Sequence, residues 1–151
     1  MATLQINGTE HEAKFNFLFA KAAKEKYAEV DESGKKGDGF NAIYMGLLQG
    51  SNDSLVAFWD CGLAHLKGKD KVSVEDIETA IVERVEEDED TIHLLKEAYN
   101  AIDQSGFFKQ QSKKLWSNFE MLKTMGSTDE EKEKNKVMHE TLIANKKEMT
   151  E

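Results

Sequence analysis

Apolar and polar residues alternate around an Asn-Gly pair near the start of the chain. Leu4 and Ile6 precede Asn7-Gly8, and Ala13 and Phe15 follow it with the same two-residue spacing. Asn-Gly is a strong signal for a two-residue turn between strands, because such a turn needs a positive φ at both central residues. The start of the chain therefore predicts a small antiparallel β-hairpin.

After Phe15 the alternation gives way to apolar residues spaced three and four apart, the pattern of a helix with one buried face. Glycines and short Ser, Thr or Asp stretches separate the periodic segments, and the chain contains no proline. We predict a mainly α fold, in which the N-terminal β-hairpin is followed by a compact bundle of about six helices and a charged C-terminal tail or helix. The predicted helices span residues 16–28, 40–49, 53–67, 73–86, 91–103, 107–124 and 128–151.

Capping signals indicate where several helices begin and end. Asn16 suits the N-cap of the first helix, and the S-x-x-D pattern at Ser73 predicts a capping box before the fourth. Gly68 is predicted to end the third helix. Residues 86–90 are all acidic, which is unfavourable at the negative end of a helix dipole. The fourth helix is therefore expected to end at residue 85 or 86.

The apolar positions of each helix define the face that is expected to be buried. In the first helix these positions are Phe17, Leu18, Ala22 and Tyr27. The second and fifth helices have the clearest stripes, formed by Phe40, Ile43, Tyr44, Leu47 and Leu48 and by Ile92, Leu95, Ala98, Tyr99 and Ile102. The third helix has apolar residues on more than one face, which predicts a central position.

Composition divides the chain near residue 126. Residues 1–126 carry enough apolar side chains for a single mostly helical domain with its own core and the N-terminal hairpin. Residues 127–151 are dominated by charge, and their large apolar residues are Val137, Met138, Leu142, Ile143 and Met149. This segment is expected to form a charged C-terminal helix or a flexible tail.

The net charge of −9 argues against a nucleic-acid partner, because phosphate binding needs a basic face. Nineteen of the twenty basic residues are lysines, whereas bidentate recognition of phosphates and bases favours arginine. No apolar run approaches the roughly 20 residues of a membrane span, and the N-terminus lacks the pattern of a signal peptide. We therefore expect no nucleic acid and no membrane as partner, and a cytoplasmic location.

No motif for catalysis, cofactor binding or metal binding stands out, so we predict a protein that is not an enzyme and uses no cofactor. The four histidines lie in different segments without a two-ligand spacing. Cys61 and His65 are four residues apart and could share a soft metal, but a buried thiol beside a half-exposed imidazole is the favoured interpretation. Residues 31–39 are glycine-rich without the spacing of a phosphate-binding loop, so they are expected to form a connector.

The sixth helix carries the candidate protein-binding residues. Its apolar stripe ends in a tryptophan-containing face just before the charged segment, and aromatic side chains are common anchors of interfaces. Packing into the core is the more common role for any one of these side chains. The acidic residues 86–90 could steer a basic partner, although a solvated helix end explains them more simply. The candidates are Phe108, Leu115, Trp116, Phe119 and Leu122.

Four local patterns in the chain resemble one known family. They are L-x-I-N-G over residues 4–8, G-F-x-x-I-Y-x-G-L-L-x-G over residues 39–50, S-L-x-x-F-W over residues 54–59 and D-I-E-x-A-I over residues 76–81. Over about residues 3–125, the chain resembles the tail assembly chaperones of long-tailed (siphovirus-type) phages and prophages of Gram-positive bacteria.

This resemblance implies a non-enzymatic protein that binds the tape-measure protein, helps to recruit tail-tube subunits and is absent from the mature virion. It implies no catalytic residues and leaves self-association open. In many such phages a ribosomal frameshift adds a C-terminal extension, and Lys146-Lys147 could mark the slippery sequence. The alternative is another prophage structural or adaptor protein, of the head–tail connector type, that also acts by protein–protein binding.

Overall fold

The computed structural model describes residues 1–151 and shows a β-hairpin followed by seven α-helices. The predicted mainly α class with an N-terminal hairpin is confirmed. Two short 3-10 turns, Gly68–Asp70 and Met121–Lys123, connect helices. The elements are β1 Thr3–Ile6, β2 Thr9–Glu12, α1 Phe17–Lys26, α2 Gly39–Leu48, α3 Asn52–Gly62, α4 Val74–Asp88, α5 Ile92–Gln104, α6 Lys109–Glu120 and α7 Asp129–Thr150.

The hairpin forms at the predicted Asn-Gly turn. Ile6 pairs with Thr9, and Asn7 and Gly8 adopt φ angles of 52° and 80°. Strand β1 buries its alternate residues and contacts α4, whereas the β2 side chains are exposed or half-buried. After β2, the Lys14 amide donates to the Gly62 carbonyl at 2.9 Å. The hairpin therefore closes one end of the helical body.

Helix α2 lies at the centre of the helical body. It contacts α1, α3, α5 and α7. The whole predicted face is buried, namely Phe40, Ile43, Tyr44, Leu47 and Leu48. At its start, the Phe40 ring stacks on Phe108 at 4.8 Å, and the Phe19 ring lies 5.3 Å from Phe108. Burying side chains of this size stabilises the fold by roughly 1.5–3 kcal/mol each, so this aromatic cluster is a main contributor to the core.

The buried face of α1 differs from the prediction. Phe17 is 72% exposed and Leu18 39% exposed, whereas Phe19 and Ala23 are fully buried. The reason is the approach of α2: a Cβ on Gly39 would overlap the backbone of Ala23, so the two helices touch at this point. This contact turns Ala23, and with it Phe19 one turn earlier, towards the core.

Helix α3 ends at Gly62, five residues earlier than predicted. A Cβ on Gly62 would lie 2.9 Å from the Ala13 Cβ, so the segment after the hairpin packs directly against the helix end. Gly68 does not cap α3. With a φ of 61°, it begins the 3-10 turn instead.

Helix α4 begins at the predicted capping box but continues through the acidic residues to Asp88, against the prediction. Arg84 Nε donates to Asp88 Oδ2 at 2.9 Å, an ion pair between residues four apart on the helix. Glu89 adopts a left-handed φ of 63°, and its amide donates to the Val85 carbonyl at 2.7 Å. These local contacts offset the unfavourable charge at the helix end.

The C-terminal segment is a regular helix. Thr128 caps α7, and the helix contacts α2, α5 and the turn Met121–Lys123. The proposed division of the chain near residue 126 stays a prediction. Helix α6 is shorter than predicted and ends at Glu120, where the 3-10 turn begins. None of the helices has the length and apolar character needed to cross a membrane.

Candidate protein-binding surface

The five candidate residues of the α6 region do not share one environment. Phe108 is 1% exposed and packs within the aromatic cluster of the core, so it offers no side-chain surface to a partner. Leu115, Trp116, Phe119 and Leu122 are half-buried and pack against the core from outside. We call these four residues the α6 stripe. It remains the predicted binding surface.

Trp116 is held in place by a buried hydrogen-bond network. Its Nε1 donates to the Tyr44 hydroxyl at 2.7 Å, and that hydroxyl donates to Asp103 Oδ1 at 2.6 Å. The Tyr99 hydroxyl lies 2.8 Å from the Tyr44 hydroxyl. Since the single proton of Tyr44 goes to the carboxylate, Tyr99 must donate here, and the Tyr44 oxygen is then saturated. The network ties α2, α5 and α6 together behind the tryptophan.

Burial shapes the chemistry of this network. It raises the pKa of Tyr44, and the hydrogen bond to Asp103 raises it further. Burial, aided by the charge of Asp103, also raises the pKa of Tyr99 to about 12. Both phenols therefore stay protonated at physiological pH and act as structural donors and acceptors.

The outer side of Trp116 is covered by other side chains. Lys146 of α7 places its Nζ 4.4 Å from the centre of the indole ring, and Phe119 packs edge-on at 5.2 Å. Beside them is an open cavity of about 270 Å³, lined also by Asp103 and Lys113. The α6 stripe is thus a half-exposed aromatic surface, and Lys146 of α7 lies over its tryptophan.

A second exposed aromatic pair lies elsewhere on the molecule and was missed by the sequence prediction. Phe17 packs edge-on against Phe107 at 5.1 Å, and Phe107 is 39% exposed. Phe107 also lines an open cavity of about 510 Å³ near the N-terminus, together with Phe15. The periodicity of α1 places Phe17 on the buried face, so the sequence offers no signal for this pair.

Cys61 lies in α3, which ends at Gly62, whereas His65 lies in the turn after it, so the two do not share a helix face. No group of three or more His, Cys, Asp or Glu side chains is placed to hold a metal ion. Cys61 is buried, and burial raises the pKa of its thiol to about 12. The connector 31–39 closes on itself, since Asp31 Oδ1 accepts hydrogen bonds from the amides of Ser33 and Lys35, both at 3.0 Å.

The protein is small and mainly helical, and its surface carries two aromatic patches, the α6 stripe and the pair Phe17–Phe107. A comparison with known protein families assigns the chain to one of them. The family model described as "Phage tail assembly chaperone protein, TAC" matches residues 3–117, which is more than half of the chain, so the chain belongs to this family. Membership assigns it a role in phage tail assembly, through binding to other tail proteins. No curated protein and no solved structure matches the chain.

Proposed function

We propose that this chaperone binds the tape-measure protein and helps to recruit tail-tube subunits around it. It acts in the host cytoplasm and leaves before the virion is complete. The observation that supports this is the half-exposed α6 stripe, held rigidly by the Tyr44 network. A tape-measure protein would present long helices with apolar faces, which fit such a surface by the helix-in-groove mode of recognition.

The proposed contact consists of the α6 stripe and the segment after it. Met121, which lies between Phe119 and Leu122, is 58% exposed, and Met125, three residues after Leu122, is 48% exposed. Flexible methionines beside rigid aromatic rings adapt readily to different helical partners. Aromatic anchors supported from behind are the usual sites of high binding energy in interfaces.

The test is co-expression of the tagged chaperone with the tape-measure protein of the same phage, followed by affinity capture. Phe119→Ala should lower the amount of captured tape-measure protein roughly tenfold, as expected for an interface anchor. The control is Phe17→Ala, which removes an aromatic ring of the other aromatic pair, one that is 72% exposed and thus more accessible than the half-buried Phe119, and should leave capture unchanged. The melting temperature of each variant shows whether folding is affected.

Three outcomes separate the parts of this proposal. Failure of the wild-type protein to capture the tape-measure protein contradicts the proposed function. Loss of capture in Phe17→Ala but not in Phe119→Ala contradicts the assignment of the surface only. Recovery of the protein from purified virions in stoichiometric amount would favour the alternative, a head–tail connector type of structural or adaptor protein.

We also propose that a longer form is produced by a frame change near Lys146-Lys147. The gene would be expressed with its native downstream DNA, and the products analysed by mass spectrometry. A minor longer product that shares the N-terminus is expected. A single product of 151 residues would contradict the frameshift while leaving the chaperone role in place.

A further inference from the structure

Helix α7 faces the body of the protein with a stripe that has the spacing of a coiled coil. Its inward residues are four, three, four and three positions apart, and they are Asn135, His139, Leu142, Lys146 and Met149. His139 and Leu142 are each 6% exposed, and Met149 is 4% exposed. Such positions are normally aliphatic, because they form the apolar seam between two helices. In α7, three of the five are polar.

Each polar residue of this seam meets one specific partner. Asn135 Nδ2 donates to the Met125 carbonyl at 3.0 Å, and His139 Nε2 lies 3.2 Å from Glu120 Oε1. Lys146 covers the Trp116 ring, as described above. Polar groups in a seam fix the register of the helix, but their desolvation makes the contact weaker than an aliphatic seam would be.

The surface beneath α7 is better suited to apolar contact than α7 is. It includes the Trp116 ring under Lys146 and the turn that carries Leu122, whereas α7 buries only Leu142 and Met149 as apolar residues. At its far end α7 is held by polar contacts to its main chain, from Asn100 Nδ2 to the Met149 carbonyl at 2.9 Å and from Lys96 Nζ to the main-chain oxygen of Glu151 at 3.3 Å. Helix α7 also lies outside the region that matches the family.

We propose that α7 is an internal substitute for the partner helix. In the free protein it occupies the groove formed by α2, α5 and the turn Met121–Lys123, with Trp116 of α6 at its edge, which we call the α7 groove. An amphipathic helix with aliphatic residues at the same four-three spacing displaces it. This inference rests on the proposed function, because it takes the α6 stripe as the binding site, and it adds the sequence pattern of the partner and the regulation of access.

We expect displacement because the seam of α7 is partly polar, whereas that of the partner helix is aliphatic. A partner helix with leucine or isoleucine in place of Asn135, His139 and Lys146 buries more apolar area on the same surface and leaves no imidazole or ammonium to desolvate. The released α7 returns its charged groups to water. Until such a helix arrives, α7 shields the α6 stripe from non-specific association.

The proposal is tested with peptides that correspond to residues 129–151 of this chain, added to the full-length protein. The test peptide carries Asn135→Leu, His139→Leu and Lys146→Leu. The matched control carries Glu133→Leu, Glu140→Leu and Lys147→Leu, three exposed positions on the outer face, and so has the same number of leucines in the wrong register. Binding of labelled peptides is measured by fluorescence anisotropy, and exchange of backbone amides is followed by mass spectrometry.

The test peptide should bind at least roughly tenfold more tightly than both the native-sequence peptide and the control. On binding, the amides of the protein's own α7 should exchange faster, while those of α6 stay protected. Equal binding of the test and control peptides would overturn the proposal. So would binding of the test peptide that leaves the exchange of α7 unchanged.

This experiment uses no tail protein, so its failure is separate from a failure of the proposed function. A second variant links the two. The same three leucine substitutions in the full-length chain should raise the melting temperature, lock α7 in its groove and lower capture of the tape-measure protein roughly tenfold. A stabilised variant that captures the tape-measure protein as well as the wild type does would show that α7 need not move.

Discussion

At the scale of single residues, the hydroxyl group of Tyr44 is the centre of the main buried hydrogen-bond network. It satisfies the indole of Trp116, the carboxylate of Asp103 and the phenol of Tyr99 at once. Removing a group that several buried partners share leaves each of them unsatisfied, which costs more than the loss of one hydrogen bond. The candidate binding surface therefore depends on a residue that does not itself reach the surface.

Tyr44→Phe should lower the free energy of unfolding by about 1–3 kcal/mol, because it leaves buried polar partners without a hydrogen bond. Urea unfolding measures the change. Tyr27→Phe is the matched control: its half-buried hydroxyl donates to Asp60 at 2.7 Å, and Asp60 keeps Lys26 as a second partner. An equal loss of stability in the two variants would contradict the central role of Tyr44.

All three tyrosines should resist ionisation in the folded protein, because burial raises the pKa of Tyr27, Tyr44 and Tyr99. The phenols ionise more readily in the unfolded chain, near the ordinary pKa of about 10. Their contribution to stability is thus fully present below that pH and is lost as the pH rises above it. An alkaline titration should show tyrosinate absorbance only together with loss of helical circular dichroism. A tyrosinate signal near pH 10 with the helices intact would contradict this.

At the scale of elements, close backbone contacts decide how the helices are turned and where they stop. Gly39 allows α2 to touch α1, and Gly62 allows the segment after the hairpin to touch α3. Neither contact is visible in the periodicity of the helices themselves. This explains why the α2 face was predicted correctly while the α1 face and the end of α3 were not.

Gly39→Ala should destabilise the protein by about 1–3 kcal/mol, because the added methyl group overlaps the Ala23 backbone and the helices must separate. Gly106→Ala is the control, since a Cβ there meets no atom within 4 Å. The control should change the free energy of unfolding by less than about 0.5 kcal/mol. Thermal and urea unfolding of both variants would test the contact. An unperturbed Gly39→Ala variant would show that α1 and α2 can shift apart without cost.

At the scale of the whole molecule, one core joins the hairpin with six of the seven helices, and α6 packs against it from outside. Residues from the first strand, from α2 and α3, and from α7 belong to the same cluster of 28 buried residues. Phe108 shows the consequence: the stripe that includes it looked like a binding face, but its ring completes the aromatic cluster between α1 and α2. In each apolar stripe, only the side chains that the core does not bury remain available at the surface.

The thiol of Cys61 should report on opening of this core. Burial raises its pKa to about 12, so the reactive thiolate is scarce while the protein is folded. Labelling by iodoacetamide at mildly alkaline pH should be slow in buffer and should rise with urea in parallel with global unfolding. Rapid labelling under native conditions would show that α3 is exposed by a local opening.

Short-range signals allowed much of the fold to be predicted. The turn at Asn7-Gly8 and the caps at Asn16 and Ser73 depend on residues within about one helical turn, and the buried face of α2 depends on residues within one helix, so the sequence alone determines them. The candidate site was predicted less fully. The stripe on α6 was evident, but the Tyr44 network behind Trp116 and the Lys146 side chain over it join residues far apart in the chain.

The sequence by itself therefore determined the elements, their order and the mainly α class, because turns, caps and periodicity depend on residues that are close together in the chain. Only the tertiary structure decided which face of α1 is buried, where α3 ends, that Phe108 lies in the core and that Lys146 of α7 lies over Trp116. Most of these outcomes depend on contacts such as Ala23 with Gly39 and Ala13 with Gly62. Such contacts form only when segments that are distant in sequence pack against each other. Local sequence patterns do not predict which segments will do so.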